Sequence, residues 1–185
     1  KFSPPLDSAT GRRWADLLVA EHLAHELLRA NEIASARSAV MSSGGRMFLE
    51  VERFDRAGDE GRVGVVSLLA VDAAHFGMLD SWSRAALRLE KSGLLSPADA
   101  LRVRLVEAFA MQIANTDRHF GNLALFDRYT GRHELAPVYD MLPMLFAPLN
   151  DQLVERAFEP PEPTAEGLGV WSRAQAIVFA RDRGF

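Results

Sequence analysis

The sequence contains no cysteine. That excludes disulfides and thiolate metal sites, and it suits a reducing compartment, so a cytoplasmic setting is expected. Lysine is almost absent as well: of 21 basic residues only Lys1 and Lys91 are lysines. Arginine does not stand in for a lysine point charge on a phosphate, so these two are candidates for work that arginine cannot do. No apolar run approaches the ~20 residues of a membrane span. The opening KFSPPLDS has no signal-peptide core. Excess positive charge is lacking too: the net charge of −4 argues against broad nucleic-acid binding. There is no initiating Met, and the chain is expected to be a fragment or a processed product.

What is present is the composition of a globular protein. The 185 residues are 48% hydrophobic and 25% charged, enough for a real core in one domain or a domain with a smaller lobe. Pro4-Pro5 forbids a helix at the start, and Gly11 permits a turn. Trp14, Leu17, Leu18, Glu21, Ala24, His25 and Leu28 then fall at helical spacing, which predicts a helix over 13–30. His22 and His25 are expected at its surface or boundary. Residues 37–54 alternate around Ser42-Ser43-Gly44-Gly45 and predict a hairpin. The charged stretch Asp55–Arg62 reads as a loop and as the lobe boundary. Beyond it the chain reads as mostly helical, with an amphipathic segment over 81–91. Ser96-Pro97-Ala98-Asp99 is a helix start, with Ser as cap and Pro at the first helical position. That helix is expected to run to about residue 114, with Leu101, Leu105, Ala108, Phe109 and Gln112 on one stripe. Residues 123–135 read as a second hairpin, 156–167 as a loop and 170–182 as a helix.

The densest polar cluster is Asn115-Thr116-Asp117-Arg118-His119-Phe120-Gly121-Asn122, between an apolar helix and an apolar strand. Pro137-Val138-Tyr139-Asp140 follows at the far end of the hairpin. A hairpin returns its second strand to where the first began, so Asp140 should lie near Asp117 and Asn122. Two carboxylates and an amide are all oxygen donors, and such donors suit Mg²⁺. An Asp, an Asn five residues on, a hairpin and a second Asp form the layout of a phosphoryl-transfer centre. His119 and His133 lack a clear third ligand for zinc.

NTDRHFGN followed by LAPVYDMLP closely resembles the HipA-like kinases, the toxin halves of HipA/HipB toxin–antitoxin modules. The hexapeptide Val51-Glu52-Arg53-Phe54-Asp55-Arg56 and the opening Lys1-Phe2-Ser3-Pro4 resemble two further signatures of that family, in the family's order. The resemblance implies an α+β, protein-kinase-like fold: a partial small β lobe over 1–58 and a mostly helical large lobe over 59–185. It implies ATP- and Mg²⁺-dependent transfer to a Ser or Thr hydroxyl of a protein, in this family a translation component such as an aminoacyl-tRNA synthetase, under the control of a DNA-binding HipB-like antitoxin. Asp117 would be the base that takes the substrate hydroxyl proton, and His119 would brace its loop. Asn122 and Asp140 would hold the metal. Lys1 would pair with the ATP phosphates, with Glu21 as its helix partner. Glu52 and Phe54 would present backbone groups to the adenine. Phe146-Ala147-Pro148-Leu149 falls where kinases face their substrates. The family's Gly-rich phosphate loop lies upstream of the lysine at which this chain starts, and Gly44-Gly45 lies on the wrong side of the helix to replace it. The chain therefore reads as the later part of a kinase. Two alternatives stay open: a non-catalytic kinase-like remnant acting as a binding module, and a small-molecule kinase.

Overall fold

Four serines start the four α-helices of the described residues. Ser8, Ser67, Ser81 and Ser96 each accept a hydrogen bond from the amide three residues on, which satisfies one of the free N–H groups of a first helical turn. The helices they cap are α1 (Ala9–Ala30), α2 (Leu68–His75), α3 (Trp82–Lys91) and α4 (Pro97–Gln112). The computed structural model describes residues 1–128 and 131–159. The helix expected over 170–182, most of the loop expected over 156–167, and Trp171 lie outside the described residues.

The strands are β1 (Ser38–Ser43), β2 (Arg46–Val51), β3 (Arg56–Ala57), β4 (Gly61–Arg62), β5 (Val65–Ser67), β6 (Ala124–Asp127) and β7 (His133–Leu135). β1 and β2 pair antiparallel, with Ser43 opposite Arg46. Gly44 and Gly45 take φ of +53° and +68°, as a two-residue turn matched to strand twist requires. Residues 1–3 run along the free side of β2. Lys1 exchanges two backbone hydrogen bonds with Leu49, and the Ser3 amide donates to the Met47 carbonyl. The inner face of this small sheet packs on α1 through the buried Leu49. A second sheet has the order β5-β6-β7. Behind it α3 packs on α4, and the core there is built on Trp82, Leu89, Phe109, Leu125 and Met141.

Four segments differ from the reading of the sequence. α1 begins at Ala9 rather than 13, and Gly11 lies in its first turn rather than before it. A Cβ at Gly11 would lie 1.9 Å from the Pro5 carbonyl oxygen, so glycine here answers to close packing of chain on chain. The charged stretch after residue 54 is not featureless: β3 and β4 form a short hairpin within it. Beyond it the chain is less helical than expected, because β5 pairs with β6 before α2 begins. Leu101 is exposed instead of lying on the buried stripe of α4, while Ala100, Val103, Val106 and Ala110 are buried. α4 is covered on most of its circumference, so a single stripe does not describe it.

Among the connections that tie the first 37 residues to the later part of the chain, two reach its backbone at Val138 and Phe146. Ser35 and Val138 form a parallel bridge, in which the Ala36 amide donates to the Val138 carbonyl and the Val138 amide to the Ala34 carbonyl. The Arg13 guanidinium donates to the Phe146 carbonyl. The first of these contacts holds the segment that leads into Asp140.

Candidate functional site

The polar cluster begins where α4 ends. Ala114, at φ +59°, turns the chain out of the helix, and the Asn115 amide donates back to the Ala110 carbonyl. The loop that follows is braced from within. Gly121 donates its N–H to His119 Nδ1 at 3.1 Å, and the Trp82 indole N–H donates to the His119 carbonyl at 3.2 Å. Asn122 is buried, and its Nδ2 donates to the Asp117 carbonyl at 3.0 Å and to Asp117 Oδ2 at 3.3 Å. The Asp117 carboxylate is half exposed, with His119 Nε2 3.7 Å away. Asp117, His119 and Asn122 thus share one loop and touch one another.

Lys1, Glu21 and Asp140 form a second group. Alignment of residues 1–3 with β2 carries the Lys1 ammonium over α1. It donates to Glu21 Oε1 and Oε2 at 2.8 and 2.9 Å, and also to Asp140 Oδ1. Glu21 is 1% exposed, whereas Lys1 is 41% exposed. Burial disfavours the Lys1 charge, but the Glu21 and Asp140 carboxylates outweigh it, and its pKa lies above the ordinary lysine value. Burial raises the Glu21 pKa, against the opposing effect of Lys1. His25, one turn further along α1, is fully buried rather than at the surface. Burial, with the nearby Lys1 and Arg29 charges, lowers its pKa to about 4.

Glu52 and Phe54 line a cavity of about 380 Å³, together with Ala36, Val51, Val65, Ala124 and Tyr139. The Phe54 ring packs against Phe126 and Tyr139, with centroids 6.0 and 5.9 Å away. The Glu52 N–H is taken by the Arg37 carbonyl at 2.8 Å. The Glu52 carbonyl and the Phe54 N–H have no hydrogen-bond partner among the described residues.

Asn122 and Asp140 are not joined by any hydrogen bond among the described residues. Two side chains that the reading of the sequence left without a role join their loops. Asn115 accepts the Asp117 N–H at 2.9 Å and donates to the Asp140 carbonyl at 3.4 Å. Tyr139 donates its hydroxyl to the Gly121 carbonyl at 2.9 Å. Burial and the Asp140 charge raise the pKa of that hydroxyl. Both residues stood inside the quoted motifs, but nothing in their spacing distinguished them from a helix cap and a packing aromatic.

No group of three or more His, Asp or Glu side chains among the described residues could hold a metal ion unaided. The donor set at Asn122 and Asp140 is of another kind. It offers one carboxylate and one amide oxygen, which suits a Mg²⁺ ion that keeps several waters and shares phosphate oxygens with a nucleotide. The residues present fit such an ion.

The fold is of the mixed, kinase-like α+β class. Solved structures that share it include two. One is a HipA–HipB–operator DNA complex of a toxin–antitoxin system from Shewanella oneidensis MR-1, with a TM-score of 0.57 at 20% identity over 74% of this chain and 36% of that one. The other is the proinflammatory kinase CtkA of Helicobacter pylori, with a TM-score of 0.50 at 12% identity over 68% of this chain and 48% of that one. Residues 1–175 match the family described as the HipA-like C-terminal domain, and the chain belongs to that family. It is 39% identical over 165 residues to the toxin YjjJ of Escherichia coli strain K12, covering 86% of this chain and 37% of that protein. The chain thus spans about a third of the length of that curated relative. No helix among the described residues is long and apolar enough to cross a membrane.

Proposed function

We propose that this chain carries the phosphoryl-transfer centre of a HipA-like protein kinase, one that moves the γ-phosphoryl group of ATP to a Ser or Thr hydroxyl of a protein. The observation that carries the reading is Lys1, paired with the buried Glu21 and reaching Asp140, beside a loop in which Asp117 and Asn122 touch. Phosphoryl transfer needs this kind of arrangement. The chemistry asks little covalent work of the protein and much positioning and charge compensation.

In this reading Asp117 accepts the proton of the substrate hydroxyl as its oxygen attacks the γ-phosphorus. The bond from that phosphorus to the β-bridging oxygen breaks, and ADP leaves. The exposure of Asp117 lets a protein hydroxyl reach it. Lys1 moves from Asp140 to the phosphates and is aimed by Glu21. Asn122 and Asp140 would hold Mg²⁺, which when bound neutralises the charge that builds on the bridging phosphate oxygens. The cavity beside Phe54 takes the adenine, with the Glu52 carbonyl and the Phe54 N–H as its edge contacts. Membership of the HipA-like family and the toxin YjjJ support a toxin role. The HipB in the Shewanella complex supports a HipB-like antitoxin as partner.

The test is transfer of labelled γ-phosphate from Mg·ATP to proteins of a host extract, followed by phosphoamino-acid analysis. Label on Ser or Thr that disappears in Asp117→Asn supports the reading. ATP bound without any transfer would instead indicate a binding module. Label found only on small molecules would redirect the substrate class.

A further inference from the structure

We propose that Asn115 is the positioning residue that sets Asp117 in relation to Asp140, acting through its side-chain amide. The inference rests on the kinase reading above. Asn115 is 1% exposed, and a buried amide without partners is costly. Both of its ends are spent on the backbone of the two acids. Oδ1 accepts the Asp117 N–H at 2.9 Å, and Nδ2 reaches the Asp140 carbonyl at 3.4 Å and Met141 Sδ at 3.6 Å. This orientation is the only one that works. Turned over, the amide would set its NH₂ against an N–H and its oxygen against a carbonyl.

The two backbones it joins need holding. Asp140 has φ +56° and Ala114, next to Asn115, has φ +59°. An L-residue in this region is strained and persists only where its surroundings fix it. Asn115 is itself fixed, through its amide on Ala110 and through its carbonyl, which accepts from Arg118. It touches none of the groups that would react. Its effect runs through the placement of Asp140 against the Asp117–Asn122 loop.

The experiment is a calorimetric titration of the chain with ATP, with and without Mg²⁺, for wild type, Asn115→Leu, Asp140→Asn and the double variant. Leucine keeps the branched skeleton of Asn115, in a bulkier form, and removes both hydrogen bonds. In Asn115→Leu, Mg²⁺-free affinity should stay as in wild type. The gain in affinity on adding Mg²⁺ should shrink about ten- to a hundredfold, as when a residue supporting a metal ligand is lost. The double variant should lose no more of that gain than Asp140→Asn alone. A purely structural role would weaken both titrations alike. An unchanged gain, or additive losses in the double variant, would overturn the proposal. Wild type that gains nothing from Mg²⁺ would defeat the kinase reading first and this inference with it. Should Asn115→Leu fail to fold, hydrogen exchange on wild type decides. The Asp117 amide should exchange far more slowly than that of its exposed neighbour Thr116, and equal rates would overturn the proposal.

Discussion

Lys1 Nζ lies 2.8 Å from Glu21 Oε1, on the buried face of α1 that also carries Leu17, Leu18, Ala24 and Leu28. The two partners of this ion pair live in different surroundings. Glu21 has no access to water, while Lys1 is partly exposed and has Asp140 as a second partner.

Removal of either partner should therefore have unequal effects. Lys1→Met leaves a buried carboxylate without its cation, and should cost about 3 kcal/mol of stability at pH 7. Glu21→Gln leaves an ammonium that keeps Asp140 and water, and should cost about 1 kcal/mol. Urea unfolding measures both, and equal costs would contradict the account. In Lys1→Met the Glu21 carboxyl is free to take up a proton. Its pKa is raised in the fold, so that variant should regain stability as the pH falls.

His25 makes the stability of the wild-type chain depend on pH in the opposite sense. Its pKa is lowered from 6.5 to about 4 in the fold, so the unfolded chain binds the proton more tightly. The stability that neutral His25 contributes is fully present above pH 6.5 and is lost as the pH falls from there to about 4. The loss should amount to at most about 3 kcal/mol. Thermal melts at pH 7.5 and 5 should show it, and His25→Leu should flatten the dependence.

The cavity beside Phe54 owes part of its room to two alanines, Ala36 and Ala124. Ala124→Met should reach into that space. Nucleotide affinity should fall about tenfold or more, while any overpacking costs no more than about 1–3 kcal/mol. Titration with adenosine isolates the effect on the base from that on the phosphates. Wild-type affinity in a folded Ala124→Met would place the base elsewhere.

Legibility in the sequence followed the range of the interactions. α3 and α4 could be read because their signals are local: amphipathic spacing over 81–91 for α3, and for α4 Ser96 as cap with Pro97 at the first helical position. β5 could not. Val65, Val66 and Ser67 are too few to show a period, and they are a strand only because β6 lies beside them. The start of α1 was misread because Gly11 suggests a turn, when its purpose is contact with Pro5. In the site, Asp117 and Asn122 could be paired from spacing within one loop. The contact of Lys1 with Glu21 was expected from family resemblance, since it depends on the register of residues 1–3 against β2. Asn115 received no role, because its bonds to Asp117 and Asp140 depend on how two loops meet. Its two backbone partners lie on different loops.

Calorimetric titration with ATP, with and without Mg²⁺, on wild type and Asp140→Asn tests the central claim most directly. Asparagine tolerates the left-handed backbone that Asp140 adopts at φ +56°, so the variant removes charge and little else. The expected result is binding that strengthens with Mg²⁺ in wild type, and loss of that gain in Asp140→Asn. A folded wild-type chain that binds ATP equally well with and without Mg²⁺, or an Asp140→Asn variant that keeps the full gain, would contradict a metal-assisted phosphoryl-transfer centre at this site.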